Sequence, residues 1–444
     1  MDVTQTLARF VVESHYEDIP ESVRHEAHRA LLNVLGCAIG SGRHETVERT
    51  VSALKPCFGP AQATLAGRAE RCDILNAALI NGISAHVLDF DDTHPNAIHP
   101  SAPVWPALLA LAEHRRPSGR DLIHAFILGA EAELRIGNAV YPSHYDVGFH
   151  ATGTCGVFGA AVACARLLRL DLQRTCWALG IAATQAAGLR EMFGTDCKSL
   201  HPGKAARDGL TAALLAAKDF TSSERGIEAP RGFAHVLAAE RDFTRITERL
   251  GGHWEFARNM YKPFACGLVV HAAIDACLQL REAHGLRMGS IARVKARVNP
   301  IVMELTAKTE PRTGLEGKFS VYHACAIALA RGQAGEPEFG DAAVLDPNVV
   351  ALRRKVEVKP DPAVEKMEAY VTIQLDDGRT LEQHVAHALG SVERPMSDAD
   401  LESKFHGQVG DILAQEQATA LVAACWGADR NADAAEISRM MSAA

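Results

Sequence analysis

Residues 75–88, LNAALINGISAHVL, run without a break into Asp89-Phe90-Asp91-Asp92-Thr93, and the reading of that junction decides the fold. A hydrophobic β-strand ahead of a DxDxT loop would mark an α/β phosphotransferase with a nucleophilic aspartate and a magnesium ion. The preceding run is instead alanine-rich and apolar on nearly every face, with small residues that let neighbours approach, which is the pattern of a buried helix. At its end the stretch His86–Pro103, HVLDFDDTHPNAIHPSAP, carries three carboxylates, three imidazoles and three prolines. What so much titratable chemistry does at the end of a core helix is the question the sequence poses.

Working outward, helical spacing continues. Glu21–Gly40 places Val23, Ala27, Ala30, Leu31, Val34 and Leu35 on one face, with Pro20 at the entrance. Further helical runs are expected at Val104–His114, Asp121–Val140, Gly156–Leu170, Gly203–Phe220 and His271–Glu282. From about residue 285 the period changes to two: ARVKARV, KVEVKPDP and AYVTIQLDDGRTLEQHVAH alternate apolar with polar, and Asp377-Gly378 marks a hairpin. Phe319–Arg331 is the helix that accompanies these strands. From the N-cap Ser397 the chain turns helical again. The expected fold is therefore mainly α: a large helical domain over 1–270 and 395–444, and a smaller α+β lid domain over 271–394.

Composition narrows the function. With 444 residues, 48% hydrophobic and 23% charged, the chain has ample core and the balance of a soluble globular protein. No apolar run approaches a membrane span, and no basic n-region precedes an apolar core, so a cytoplasmic location is expected. The eleven cysteines are scattered, odd in number and without a CxxC pair, and are expected to be reduced thiols. A formal charge of −8 without a basic block argues against nucleic acid, and an anionic ligand would need a local positive field.

The opening motif admits a metal site and an acid/base centre as well as the phosphotransferase loop. Asp89, Asp91, Asp92, His94 and His99 are residue types that ligate zinc, iron or manganese, but neither HExxH nor an EF-hand spacing is present, and no metal is expected. Three other places have similar character. His150 sits in a Gly/Thr turn before an apolar helix, where it either caps the helix or does chemistry. Lys198, His201 and Lys204 crowd ahead of a helix expected to begin near Gly203, whose free N–H groups would favour an anion. Lys262 precedes Pro263 in a turn. The glycines from Gly153 are spaced GxxGxxG, there is no P-loop and no GxSxG elbow, and no organic cofactor is expected.

The segment from His86 to Glu113, together with GFHATGTCG, KSLHPGKAARDGL, KPFACGLVVHAAIDA and KFSVYHACAIALA in that order, resembles the MmgE/PrpD family over nearly the whole chain. The resemblance implies a helical domain and an α+β lid with the active site between them, a homodimer, and no organic cofactor. Position by position it implies Asp89, Thr93, His99, His150, Lys198, Lys262 and Tyr322 as site residues. One departure stands out: the animal cis-aconitate decarboxylases carry a catalytic histidine where this chain has Gly267, while His271 follows four residues later.

Family substrates are small anionic carboxylates with a C–H bond beside a carboxylate, so the site must supply a base together with concentrated positive charge. On this reading Asp89, His99, His150, Lys198 and Tyr322 are catalytic, with His99 and His150 as the acid/base pair and Asp89 orienting His99 or acting as base. Thr93, His201, Lys204 and Lys262 bind substrate. Compactness and Gly267 favour epimerisation of an iminodisuccinate-like substrate. Dehydration of the 2-methylcitrate type is the alternative, cis-aconitate decarboxylation a third, and a non-catalytic carboxylate-binding protein the reading from another class.

Overall fold

A computed structural model describes residues 2–443. The junction that opened the reading is helical. Helix α2 (Ile74–Val87) starts at the N-cap Asp73, whose side chain accepts from the amides of Leu75 and Asn76, and it is buried along nearly its whole length. Against it pack α1 (Glu21–Gly40), α3 (Ser101–Arg115) and α6 (Asp196–Ala216), while α4 (Gly119–Val140) and α5 (Ala151–Leu167) pack on each other and join the layer through α3 and α6.

One contact positions the site. At the crossing of α2 and α6, a Cβ added to Gly82 would lie 2.6 Å from Gly203 Cα, and one added to Gly203 would lie 2.4 Å from the Leu79 carbonyl oxygen. Only two glycines allow this approach. Gly203 is therefore a packing residue in mid-helix and not a helix start. The expected beginning of α6 near Gly203 is corrected to Asp196, with Pro202 inside the helix, where its missing N–H omits one main-chain bond.

The α+β part is built on four strands, β1 (Ile291–Val298), β2 (Val356–Pro360), β3 (Ala369–Leu375) and β4 (Thr380–Val385), in the order β2-β1-β3-β4. The β1/β2 pair is parallel, with Val294 opposite Val356; the other two pairs are antiparallel. The β3–β4 connection is the expected hairpin, with Gly378 at φ 90°. Alternate residues Val371, Ile373 and Leu375 are buried, and α7 (His271–His284) packs on β3 and β4. Helix α8 (Val321–Arg331) packs on α7 in turn. The chain then returns to the helical layer: α9 (Asp398–Val409) opens with a Ser397/Asp400 capping box and lies against α1. From α9, Lys404 Nζ donates to Asn33 Oδ1 (2.8 Å), the Phe90 carbonyl (2.6 Å) and the Lys262 carbonyl (2.9 Å). All three of its N–H donors are spent on structure.

The architecture is mainly α with a smaller α+β part, as expected. Among the described residues no helix is long and apolar enough to cross a membrane. The cysteines are free, and all but Cys57 and Cys197 are buried.

Candidate active site

The segment after α2 distributes its three carboxylates to three tasks. Asp89 follows the helix end in the left-handed region, φ 51°, a backbone position that costs a non-glycine residue free energy and is common where function constrains the chain. Its Oδ1 accepts from Lys198 Nζ at 2.9 Å and Lys262 Nζ at 2.8 Å, and its carbonyl accepts from Lys262 at 3.0 Å. Burial would raise the Asp89 carboxyl, but the two ammonium groups outweigh it and hold the group well below the usual carboxylate range. Asp91 faces the imidazoles instead, with Oδ2 at 2.8 Å from His86 Nδ1 and 3.2 Å from His99 Nδ1. It too is held ionised, the two histidines overcoming burial. Asp92 accepts from Ser101 Oγ (2.6 Å) and Asn259 Nδ2 (2.7 Å) at the start of α3, and burial, with Asp91 adjacent, pushes it up to about 7.

The other site residues are placed by neighbouring elements. Thr93 pairs with Met260 through both main-chain bonds, 2.9 Å each, which fixes the strand-like approach to Lys262. The His99 amide donates to Thr152 Oγ1 on α5 (3.2 Å). His150 occupies the N-cap position of α5 but makes no side-chain cap; its Nδ1 lies 2.9 Å from His201 Nδ1 on α6. Lys198, in the first turn of α6, is brought to 2.8 Å from His86 Nε2 by the Gly82/Gly203 crossing.

Asp89, Thr93, His99, His150, Lys198 and Lys262 line one cavity of about 110 Å³. The lining contributed by the chain from 268 onward is mainly apolar: Leu268, Val269, Ile301, Leu305, Phe319 and Met367, with Thr306 and Lys366. At the edge, Lys366 Nζ donates to Tyr141 Oη at 3.0 Å. Burial keeps His150 well below the ordinary imidazole value, Lys198 adding to the effect, and pushes His86 down to about 3 against the pull of Asp91. The two lysines diverge. Burial lowers Lys198, whereas for Lys262 the Asp89 carboxylate overcomes burial and raises it.

Five expectations are placed differently. Tyr322 is in the first turn of α8, half-buried against the core, and is not among the cavity-lining residues; the lid side contributes Phe319 there instead. Lys204 points away from the cavity and is tied to the Gln185 carbonyl (2.9 Å) and Asp208 Oδ2 (2.5 Å). His201 stands behind His150 and does not line the cavity. Asp89 does not orient His99: that position belongs to Asp91, because Asp89 is committed to the lysines. The anion site at a helix start near Gly203 disappears with that start. His271 is buried with Nε2 3.3 Å from the Cys266 carbonyl, outside the cavity lining, and Gly267 forms part of the wall.

Two residues were missed as site residues, His86 and Asp91. Both stand in the quoted stretch, and the available signal was their i, i+5 spacing across a helix end. His86, Asp91 and His99 offer ligand atoms within 4.8 Å of one another, a spacing a metal ion could use. Lys198 Nζ at 2.8 Å from the other nitrogen of His86 opposes a cation there. The five-residue metal set weighed from sequence is not assembled, since His94 pairs with Glu255 at 3.3 Å and Asp92 with Ser101.

Comparison with known proteins is consistent along the chain. The family model described as MmgE/PrpD N-terminal domain matches residues 5–246, and that described as MmgE/PrpD C-terminal domain matches 264–428. Cis-aconitate decarboxylase of Mus musculus is 26% identical over 441 residues, covering 95% of this chain and 89% of that protein. Cis-aconitate decarboxylase of Aspergillus terreus is 26% identical over 473 residues, 99% and 96% of the two chains. The 2-methylcitrate dehydratase of Escherichia coli (strain K12) is 24% identical over 417 residues, 87% and 84%. None of these three is named an epimerase, so the expected epimerase finds no support in them.

Proposed function

The chain belongs to the MmgE/PrpD family, and on that premise we propose that it is a lyase of small polycarboxylates, removing a proton beside a carboxylate and expelling a β-hydroxyl as water. The observation that carries this is the pair of buried ammonium groups on Asp89. An ammonium has three N–H donors; Lys198 and Lys262 each spend two on protein and each line the cavity. Each therefore keeps one donor for an anion.

The roles follow from the environments. His99, with Asp91 behind its Nδ1, has Nε2 left to accept the carbon-bound proton, and the ionised carboxylate stabilises the imidazolium that results. Lys262, held charged by Asp89, stabilises the enediolate-like charge that develops on the substrate carboxylate. Lys198, whose ammonium form is weakened by burial, delivers the proton with which the hydroxyl leaves as water. His150 is kept neutral by burial and serves as a hydrogen-bonding group through Nε2, its Nδ1 being engaged by His201.

A second reading, decarboxylation, is favoured by the extent of similarity to cis-aconitate decarboxylases. Against it stands Gly267, which lines the cavity where the animal decarboxylases carry a histidine. NMR of the purified protein with 2-methylcitrate, citrate, cis-aconitate and iminodisuccinate in D₂O separates the readings. An unsaturated product with water loss supports the hydro-lyase; loss of CO₂ supports the decarboxylase. Binding with neither turnover nor deuterium uptake would leave a carboxylate-binding protein.

A further inference from the structure

His86 lies just behind the cavity: it is fully buried, lines the small void on the far side of Lys198, and is not part of the wall facing a ligand. Its two ring nitrogens are both spent, Nδ1 at 2.8 Å from Asp91 Oδ2 and Nε2 at 2.8 Å from Lys198 Nζ. An ionised carboxylate accepts only, so the proton of the neutral ring is on Nδ1, and Nε2 offers its lone pair. That is the tautomer an ammonium can donate to. Asp91 thus fixes His86 as an acceptor, and His86 with Asp89 fixes two of the three Lys198 donors.

We propose that His86 is a positioning residue, which aims the remaining N–H of Lys198 into the cavity and maintains Lys198 in its ammonium form. The contrast with Lys404, whose three donors all end on protein oxygen atoms, shows what the arrangement achieves: two fixed bonds leave a third with one direction to go. The groups facing Lys198 are Asp89, Asp91, His86, His150, Phe193, His201 and Lys262 from the helical side, and Phe319 and Lys318 from the lid side. Of these, Asp89 and His86 alone are within hydrogen-bond distance of its Nζ.

The test compares His86→Gln, whose amide oxygen can replace Nε2 as acceptor, with His86→Leu, which removes it. Carbamylation of Lys198 by cyanate, followed by peptide mass spectrometry across pH in the intact protein, reports the uncharged amine without any substrate. His86→Leu is expected to move the midpoint of that pH profile down by about one pH unit, the loss of a hydrogen bond to a charged group, while His86→Gln stays near the wild type. Should His86→Leu fail to fold, His86→Asn, polar but too short to reach Lys198, takes its place. Coincident profiles for all variants, or equal shifts for Gln and Leu, overturn the proposal.

A kinetic arm rests on the lyase reading: His86→Leu lowers kcat by roughly 10-fold or more, within the range for a displaced proton-transfer group, and His86→Gln recovers most of it. If no substrate turns over, the labelling profile still decides the role of His86, and only the lyase reading falls.

Discussion

The two walls of the cavity are built on opposite principles. The helical wall is tied together by a polar chain, Lys262–Asp89–Lys198–His86–Asp91–His99, with His86 and Asp91 behind the lining, in which each link is a contact of 2.8–3.2 Å. The facing wall, from residues 268 to 319 and Met367, offers a ligand chiefly carbon. Reactive groups are thus held by protein on one side, while the other side removes water and strengthens every interaction across the gap. The polar wall is also over-determined, since removing one member strands its neighbours; the apolar wall has no such dependence.

The largest expected effect follows from that asymmetry. Asp89→Ala leaves two buried ammonium groups facing each other without their counter-ion, and should destabilise the protein by about 3–5 kcal/mol, the range for breaking a buried ion pair. Phe319→Leu, on the other wall, should cost less than about 1.5 kcal/mol as a modest change in apolar volume. Urea denaturation of both variants checks the difference. Equal losses would mean that the walls are not energetically distinct.

Next in size is catalysis. His99→Ala should lower kcat by about 10²–10⁴ if the imidazole transfers the proton, and Asp91→Asn should act in the same direction by weakening the imidazolium. Tyr322→Phe should leave turnover unchanged, because the hydroxyl is outside the cavity lining. Steady-state kinetics on whichever carboxylate is converted would sharpen the comparison, and a large loss in Tyr322→Phe would show that the lid wall carries chemistry after all.

The two walls were unequally legible. The helical wall announced itself because titratable residues at helix ends are unusual in otherwise apolar sequence, and Asp89, Thr93, His99, His150, Lys198 and Lys262, which line one cavity, were singled out that way with the help of family resemblance. Their partners were less readable. Asp91 and Asp92 are adjacent and chemically alike, yet one is held ionised and the other pushed up to about 7, by contacts with His86, Ser101 and Asn259 that come from distant positions. Gly203 read as a helix start because Pro-Gly usually punctuates, whereas its tertiary role is the approach to Gly82. The apolar wall could not be read at all, since a Leu, Ile or Phe facing a cavity has the same local pattern as one facing the core. Tyr322 was expected from the family resemblance alone, whereas the cavity lining near the start of α8 is Phe319.

Both walls are backed by buried imidazoles, and this sets a pH dependence. Burial pushes His86 down to about 3 and His201 to about 4 behind the polar wall, and His271 to about 3 and His323 to about 4 on the lid side. The unfolded chain protonates its histidines below about 6.5 while the folded one does not. For these four groups the unfolded state therefore binds more protons in this window; Asp92 and Glu26, pushed up to about 7 by burial, oppose them, since the folded state keeps their protons, but they are fewer, and stability falls as pH drops from about 6.5 toward 4. The paired carboxylates Asp89 and Asp91 do not contribute there, since their depressed values protect stability down to below about 3.9. Thermal melts at several pH values check the slope, and His271→Gln should make it shallower by about one proton. An unchanged slope would show that His271 titrates in the folded state.

The smallest effect tests where the two walls meet. A Cβ added at Gly267 would come no nearer than 3.5 Å to the Lys318 carbonyl oxygen and 3.8 Å to Thr306 Cγ2, ordinary van der Waals contact, and the backbone there has φ −56°. Gly267→Ala should therefore change stability by no more than about 0.5 kcal/mol, as for substitutions that disturb no special feature. Its lost backbone freedom in the unfolded state even favours the folded one. That room makes Gly267→His an informative companion. An imidazole at this point of the cavity wall would add a proton-transfer group opposite His99, and the ratio of CO₂ release to water loss, measured on one substrate, should rise. If the ratio stays fixed while Gly267→His folds and turns over, the missing side chain at position 267 does not choose between the two eliminations, and the choice belongs to the polar wall alone.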